Sequence, residues 1–478
     1  MEETTGTAGE RHAVVIGGGL AGMLAATALF GYVDTVTVVE RDRYPAGNVF
    51  RKGVPQARHL HVFLSGGLRA LEELLPGTGQ AFTDAGARTL YPPSDLVTRT
   101  SVGWQHRFEE RRHGCLSVTR PVIDGVVRAR VLRAAAASAT RLEVLEATEA
   151  VGLTGDAGRV TGVRVRVRPG GGPSGGAGPA ERTVPAVLVV DASGRSSKAP
   201  QWFAELGRPA PRQETVDAGL AYATRMFRPT GPAGAPDMGI NIPGWPGSPR
   251  GAVYVPVENG TWLLTAAGVR GHHPPTDDQG FADFTATIGD PYIHGLLPHT
   301  EPVSPVYGFR DTANRRRHYE RPGAVPEGFA VVGDANCTFN PVYGQGMSIA
   351  ALDALALRRT LQSGGGLSPG LARRAQRAVA RATEPAWMIA IGADRPYASG
   401  ADARSSLGER LMSWYVQRLI LRSVVDPALG AAFRDVSCLT APPSRLMAPR
   451  TVLRTVLLPL RPGAGAPPTS VVPLQRAA

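Results

Sequence analysis

Two glycine-marked stretches of the chain carry residue types and spacings that could do chemistry. Near the start, Gly17-x-Gly19-x-x-Gly22 follows the apolar run His12–Ile16 and opens an Ala/Leu-rich helix expected over Met23–Phe30. Bare glycines let a backbone approach a pyrophosphate, and a helix N-terminus offers free N–H groups and the positive end of a dipole. A second apolar run, Thr35–Val39, ends in Glu40. An acid at that point of a βαβ unit accepts the hydroxyls of an adenosine ribose and disfavours a 2′-phosphate. A structural tight turn between strand and helix would explain the glycines alone, but not the strand, helix and acid together.

The second stretch is GDANCTFNPVYGQGM, residues 333–347. The run Phe329–Val332 reads as a strand, so Asp334 stands at its carboxyl end, where open α/β sheets place ligands. A carboxylate there can accept hydrogen bonds from a ribityl chain. Pro341 stiffens the turn without a donor to satisfy. Gly344 and Gly346 let backbone N–H groups reach a flat ring, and a helix starting near Met347 aims its dipole at that ring. Taken with Gly17–Glu40, the stretch implies a flavin dinucleotide. No second GxGxxG follows, which sets aside enzymes carrying two dinucleotide folds.

The combination GxGxxG, DASGRSS (191–197) and GDAxCxxxPxxGxGM resembles the class A flavoprotein monooxygenases of the p-hydroxybenzoate hydroxylase fold, over residues 12 to about 395. Cys337 stands where many relatives carry His, and Ser348 where Asn is frequent. RKGVPQARHLHVFLSGG (51–67), GWQHRF (103–108), VYVPVENGTWLLTAAG (253–268) and FNPVYGQGMS (339–348) are further similar to bacterial flavin-dependent epoxidases of polyether and terpenoid biosynthesis, soluble cousins of squalene epoxidase.

The resemblance implies noncovalent FAD, with Gly17, Gly19, Leu20, Ala21 and Gly22 at the pyrophosphate, Glu40 on the ribose and Arg41 beside the adenine. It implies Arg51 at the phosphates, Val54 near the ring and Arg120 touching the cofactor. Asp334 would bind the ribityl chain, and Pro341, Gly344, Gln345, Gly346 and Met347 would frame the isoalloxazine, Pro341 and Gly344 nearest to it. Asp191 would act from behind.

The implied activity is that of a monooxygenase. A reduced flavin hydroperoxide, formed with O2 and electrons from NADPH or NADH (directly or through a separate reductase), would epoxidise alkenes of a bulky apolar polyketide or terpenoid. Antibiotic biosynthesis is the implied setting. Such chemistry is centred on the flavin, so no catalytic side chain is named. An aromatic or polyketide hydroxylase is the alternative and needs a group that helps deprotonate a phenol. His59, His61 and His106 are its candidates, each more readily structural. A prenyl reductase or halogenase comes third; halogenases usually show WxWxIP, and this chain has GWPGSP (244–249).

Several elements must position these residues. The fold class is α/β with α+β character: a Rossmann-like FAD-binding domain over 1–75, 115–205 and 310–395, an antiparallel-sheet substrate domain over 76–114 and 206–309, and a helical C-terminal extension over 396–478. Strands are expected at 160–168 and 184–190, the second ending at Asp191, with a Gly/Pro hairpin tip at 169–179 between them. Helices are expected at Ser348–Leu361 and Leu371–Ala393. An amphipathic segment at 411–425 carries Leu411, Trp414, Tyr415, Arg418, Leu419 and Arg422 on one stripe, either packed on the core or leaning over the substrate entrance.

Composition agrees with a globular protein of 478 residues, 43% hydrophobic and 19% charged. The net charge is +12, and of 52 basic residues only Lys52 and Lys198 are Lys, leaving 50 Arg scattered from Arg11 to Arg476. That scatter argues against nucleic acid, and Arg315-Arg316-Arg317 reads as a solvated turn. Cys115, Cys337 and Cys438 are odd in number and widely spaced, which excludes a disulfide scaffold and a zinc site and fits a reducing compartment. The polar N-terminus is no signal peptide, and no run of about 18 apolar residues offers a membrane span. A cytoplasmic protein without bound metal is expected.

Overall fold

The computed structural model describes residues 10–51, 53–168, 181–245, 247–398 and 407–473; the Gly/Pro tract at 169–179 lies outside them. The apolar runs form a five-stranded sheet, with β1 at His12–Ile16, β2 at Thr35–Val39, β3 at Arg141–Leu145, β4 at Leu188–Asp191 and β5 at Phe329–Val331. Its order is β5-β4-β1-β2-β3 and every pairing is parallel. Strands covered on both faces should be continuously apolar; β2 and β4 are buried at every residue.

Helices α1 (Leu20–Leu29), α2 (Ser65–Leu74), α3 (Arg120–Ala136), α4 (Gly346–Ser363) and α5 (Leu371–Asp394) contribute to the core on one face. The other face packs against an antiparallel three-stranded sheet of Thr148–Gly155, Val160–Val167 and Glu181–Pro185. Here the single strand expected over 184–190 is corrected to two. Pro185 ends an antiparallel partner of Gly162, the chain turns at Ala186-Val187, and β4 begins in the parallel sheet. A proline without N–H cannot carry the ladder onward, so one apolar run serves two sheets.

The Pro/Gly-rich middle of the chain forms an eight-stranded sheet built on Leu220–Pro229, Trp262–Val269, Arg250–Pro256 and Gly239–Ile242, mostly antiparallel as expected. Leu96–Thr100 joins it in parallel with Gly239–Ile242. No described helix is long and apolar enough to cross a membrane.

Two further expectations change. Arg315, Arg316 and Arg317 form a strand, Asn314–Arg317, and not a solvated turn. Arg316 and Arg317 are buried; Arg316 pairs with Glu384 and Glu320, and Arg317 donates to the Ala335 carbonyl at 3.1 Å. In the tail, α6 (Leu407–Arg422) is followed by α7 (Pro427–Ser437) and α8 (Pro449–Leu457). Its expected stripe splits: Tyr415, Leu419 and Arg422 are buried, while Leu411 and Trp414 are exposed. The stripe is inward only from Tyr415 onward, where Tyr415 donates to the Leu446 carbonyl and Arg418 to the Thr455 carbonyl.

Candidate active site

The carboxyl ends of β1, β2, β4 and β5 converge, since β1 is flanked by strands that lead away in opposite directions. A crevice at such a switch point is where this class of sheet holds ligands. The crevice is a cavity of about 410 Å³, lined by residues from both ends of the chain. From the first turn it takes Gly17, Gly19, Leu20 and Ala21; from the end of β2, Glu40 and Arg41; and beyond it Arg51 and Val54. Arg120 at the start of α3 joins them, as do Asp334, Pro341, Gly344, Gln345, Gly346 and Met347. Apart from Gly22, every residue expected at the cofactor lies on this one wall.

Gly17 has φ +98, a conformation that L side chains rarely adopt, and a Cβ on it would stand 2.6 Å from the Ala192 carbonyl oxygen. The loop therefore approaches the end of β4 too closely for any side chain. Gly22 lies outside the cavity lining. A Cβ there would sit 1.7 Å from the Gly17 oxygen, so its smallness serves the packing of α1 on β1. No side chain caps α1 or α4, which leaves first-turn N–H groups free of local acceptors.

Glu40 is buried and already engaged: it accepts from the Gly18 N–H at 2.8 Å and the Asp42 N–H at 2.9 Å. Arg51 Nη1 stands 3.5 Å from the same carboxylate without a hydrogen-bond partner. Asp334 follows β5 in a short 3-10 turn held by Asp353, whose Oδ2 accepts from the Gly333 N–H at 2.9 Å. Burial pushes Asp334 above the usual carboxylate range, opposed by Arg195, Arg120 and Arg315. Burial likewise pushes Asp353 up to about 7. The Gln345 Oε1 is buried and unpartnered beside them.

The turn from Pro341 to Tyr343 ends at Gly344, which takes φ +63. Asn340 caps it by accepting from Val342 N–H. Behind it the buried Asp394 accepts from Asn340, Asn314 and the Tyr343 hydroxyl. Asp353 and Asp394 were not legible in the sequence. Their partners lie 20 to 80 residues away, and the only local signal is an acid inside an otherwise apolar helix face. Asp191 is fully buried and accepts from Ser193 and Ser197 in the loop that follows β4. Cys337 is fully buried, and burial raises its thiol.

The family of FAD binding domains matches residues 10–220. Protein Rv3254 of Mycobacterium tuberculosis is 31% identical over 430 residues, covering 89% of this chain and 86% of that protein. The chain belongs to the family of that mycobacterial protein, and its residues 10–220 match an FAD binding domain. Solved structures share its fold. The flavin-dependent brominase Bmp2 superimposes with a TM-score of 0.61 at 14% identity, over 90% of this chain and 94% of that one. The p-nitrophenol 4-monooxygenase PnpA from Pseudomonas putida gives 0.61 at 14% identity, over 90% and 98%. The fold is that of the flavin-dependent monooxygenases and halogenases. The residues lining the cavity suit FAD: free N–H groups at two helix starts, an orphaned guanidinium nitrogen at Arg51, an orphaned amide oxygen at Gln345, and glycines where a Cβ would intrude.

The same cavity is also lined by Leu60, His61, Val62, Tyr222 and Phe339. Burial pushes His61 down to about 3, helped by Arg120, and its Nδ1 faces the His59 carbonyl at 3.0 Å. His59 bonds Thr224 at 2.9 Å, packs edge-on against Tyr222, and is pushed down to about 4 by burial. His106 lies outside the cavity lining, beside Phe108. Both His59 and His61 therefore stay neutral in the folded chain. In histidine-selective NMR they are expected to be silent between about pH 5 and 8, where an ordinary imidazole titrates. A titration of either near about pH 6.5 would show that its wall is wet.

Proposed function

We propose that the chain is an FAD-dependent monooxygenase that epoxidises alkenes of a bulky apolar polyketide or terpenoid, with electrons from NADPH or NADH, directly or through a separate reductase. The carrying observation is the wall of Leu60, His61, Val62, Tyr222 and Phe339. It is mainly apolar, and burial withdraws its titratable groups from proton chemistry, driving His61 down and Tyr222 up. Hydroxylating a phenol calls for a proton acceptor poised near the working pH. An alkene offers its electron pair without losing a proton, so an apolar wall is sufficient.

Bound FAD supplies the activation of O2 and the transfer of one oxygen atom. The chain's residues do the rest. Gly17 to Ala21 and Arg51 would receive the phosphates, Glu40 and Arg41 the adenosine, and Asp334 the ribityl chain. Pro341 to Met347 would lie against the ring, the free N–H groups of α4 favouring negative charge there. Leu60, Val62, Tyr222 and Phe339 would exclude water from the reacting face.

The test is oxygen uptake by the reduced holoprotein with a terminally unsaturated polyketide or terpenoid, followed by mass spectrometry. Gain of one oxygen with loss of the olefin is expected. A new hydroxyl with the olefin intact would establish the aromatic or polyketide hydroxylase, the activity named for p-nitrophenol 4-monooxygenase. Glu40→Ala is expected to weaken FAD binding while leaving the reactivity of whatever flavin stays bound, because in FAD the adenosine ribose lies far from the reacting ring. A flavin-saturated variant that uncouples oxygen uptake from product would contradict this placement.

A further inference from the structure

Cys115 and Cys438 stand 323 residues apart in the chain (438 − 115), yet the fold brings them together. The Gly66 N–H donates to the Cys438 carbonyl at 2.9 Å, and the neighbouring Ser65 hydroxyl donates to the Gly114 carbonyl at 2.9 Å. One dipeptide step thus holds the backbone at both cysteines. Their side chains share a buried apolar cluster with Leu64, near enough for each thiol to perturb the other. Cys337, also buried, has no cysteine in its own cluster.

We propose that Cys115 and Cys438 are a modification site, forming a reversible disulfide that locks the C-terminal helices onto the strand Cys115–Ser117 when hydrogen peroxide accumulates. Cys438 is the attacking sulfur, because Arg434 lies one helical turn before it and favours its thiolate. The Cys438 thiolate takes one peroxide oxygen, the O–O bond breaks, and the leaving hydroxide collects a proton to become water. The Cys115 sulfur then displaces hydroxide from the resulting sulfenic acid, giving the S–S bond and a second water. Two thiols lose two electrons and two protons, and one peroxide is reduced to two waters.

Leu439, the next residue, has φ +60 and packs beside Val62 and Tyr343, which flank the cavity and its turn. The lock would therefore fix the segment behind the flavin-facing turn. That peroxide arises from unproductive oxygen consumption rests on the monooxygenase reading; the disulfide chemistry does not, and adding peroxide directly separates the two.

The purified full-length protein is treated with hydrogen peroxide in small molar excess, denatured, alkylated and mapped without reductant. The expected map links the Cys115 and Cys438 peptides, loses the link with dithiothreitol, and keeps Cys337 alkylated throughout. The oxidised protein should also unfold at a higher temperature than the reduced one, because the link closes a very long loop, and Cys438→Ser should not show the rise. Should that variant not fold, the wild-type map and its reversal by dithiothreitol decide alone. Both cysteines remaining alkylatable, or Cys438 passing to sulfinic acid unlinked, overturns the proposal.

Discussion

Replacing Asp334 with alanine is expected to weaken FAD binding at least tenfold and to yield a protein that loses its yellow colour on gel filtration. The carboxylate stands in the cavity 3.7 Å from where a Gly346 Cβ would be. In the proposed complex it accepts one or two charge-assisted hydrogen bonds, each contributing about 1.5–3 kcal/mol, and about 1.4 kcal/mol is a factor of ten in affinity. The apoprotein supplies a second, opposite readout. Burial raises the folded-state pKa of Asp334 above its unfolded value, so at neutral pH the ionised group costs stability. Alanine relieves that cost, and the flavin-free variant should unfold no earlier than flavin-free wild type. A variant that keeps its full complement of flavin would show that the GDA turn serves the fold and not the cofactor.

The parallel unit was readable because its strands are uninterrupted apolar runs bounded by glycine or an acid. His12–Ile16 and Thr35–Val39 appear at the bounds expected. The glycine turn, Glu40 and Asp334 stood out for the same reason, since each follows a strand end directly.

What failed to show was everything decided by partners distant in sequence. Arg316 and Arg317 look like a solvated charge run until Glu384, 68 residues later, and the Ala335 carbonyl supply counterparts inside the fold. Asp394 looks like the end of an ordinary helix until Asn314 and Asn340 arrive beneath it. The Cys115–Cys438 contact has no spacing signal at all, because it is made by a tail returning across the whole chain. The turn residues Asn340 and Gly344 mark a tight bend locally; that a buried acid holds the bend from behind is a tertiary fact.

Truncating the chain after Gly400 is expected to give a protein that is poorly soluble, poor in flavin, or both. The tail is packed on the core and not merely leaning across an entrance. The Trp104 N–H donates to the Ala464 carbonyl at 2.8 Å, the His106 N–H to Val424 at 3.0 Å and the Glu109 N–H to Val472 at 2.9 Å. Two buried side chains find their partners there: Glu110 pairs with Arg434, and His113 with Asp435 at 2.9 Å. Removing one member of a buried ion pair costs about 3–5 kcal/mol, because the other is left uncompensated. That is comparable to much of a domain's net stability, commonly about 5–15 kcal/mol. Trp104 and Leu64 would also lose their cover, and an apolar patch of that kind promotes association. The loss reaches the cavity, since Leu439 packs on Val62 and beside Tyr343. Size-exclusion chromatography with absorbance at the flavin band reads both effects. A truncated protein that stays monomeric and yellow, and only turns over bulky substrates slowly, would instead assign the helices to substrate handling.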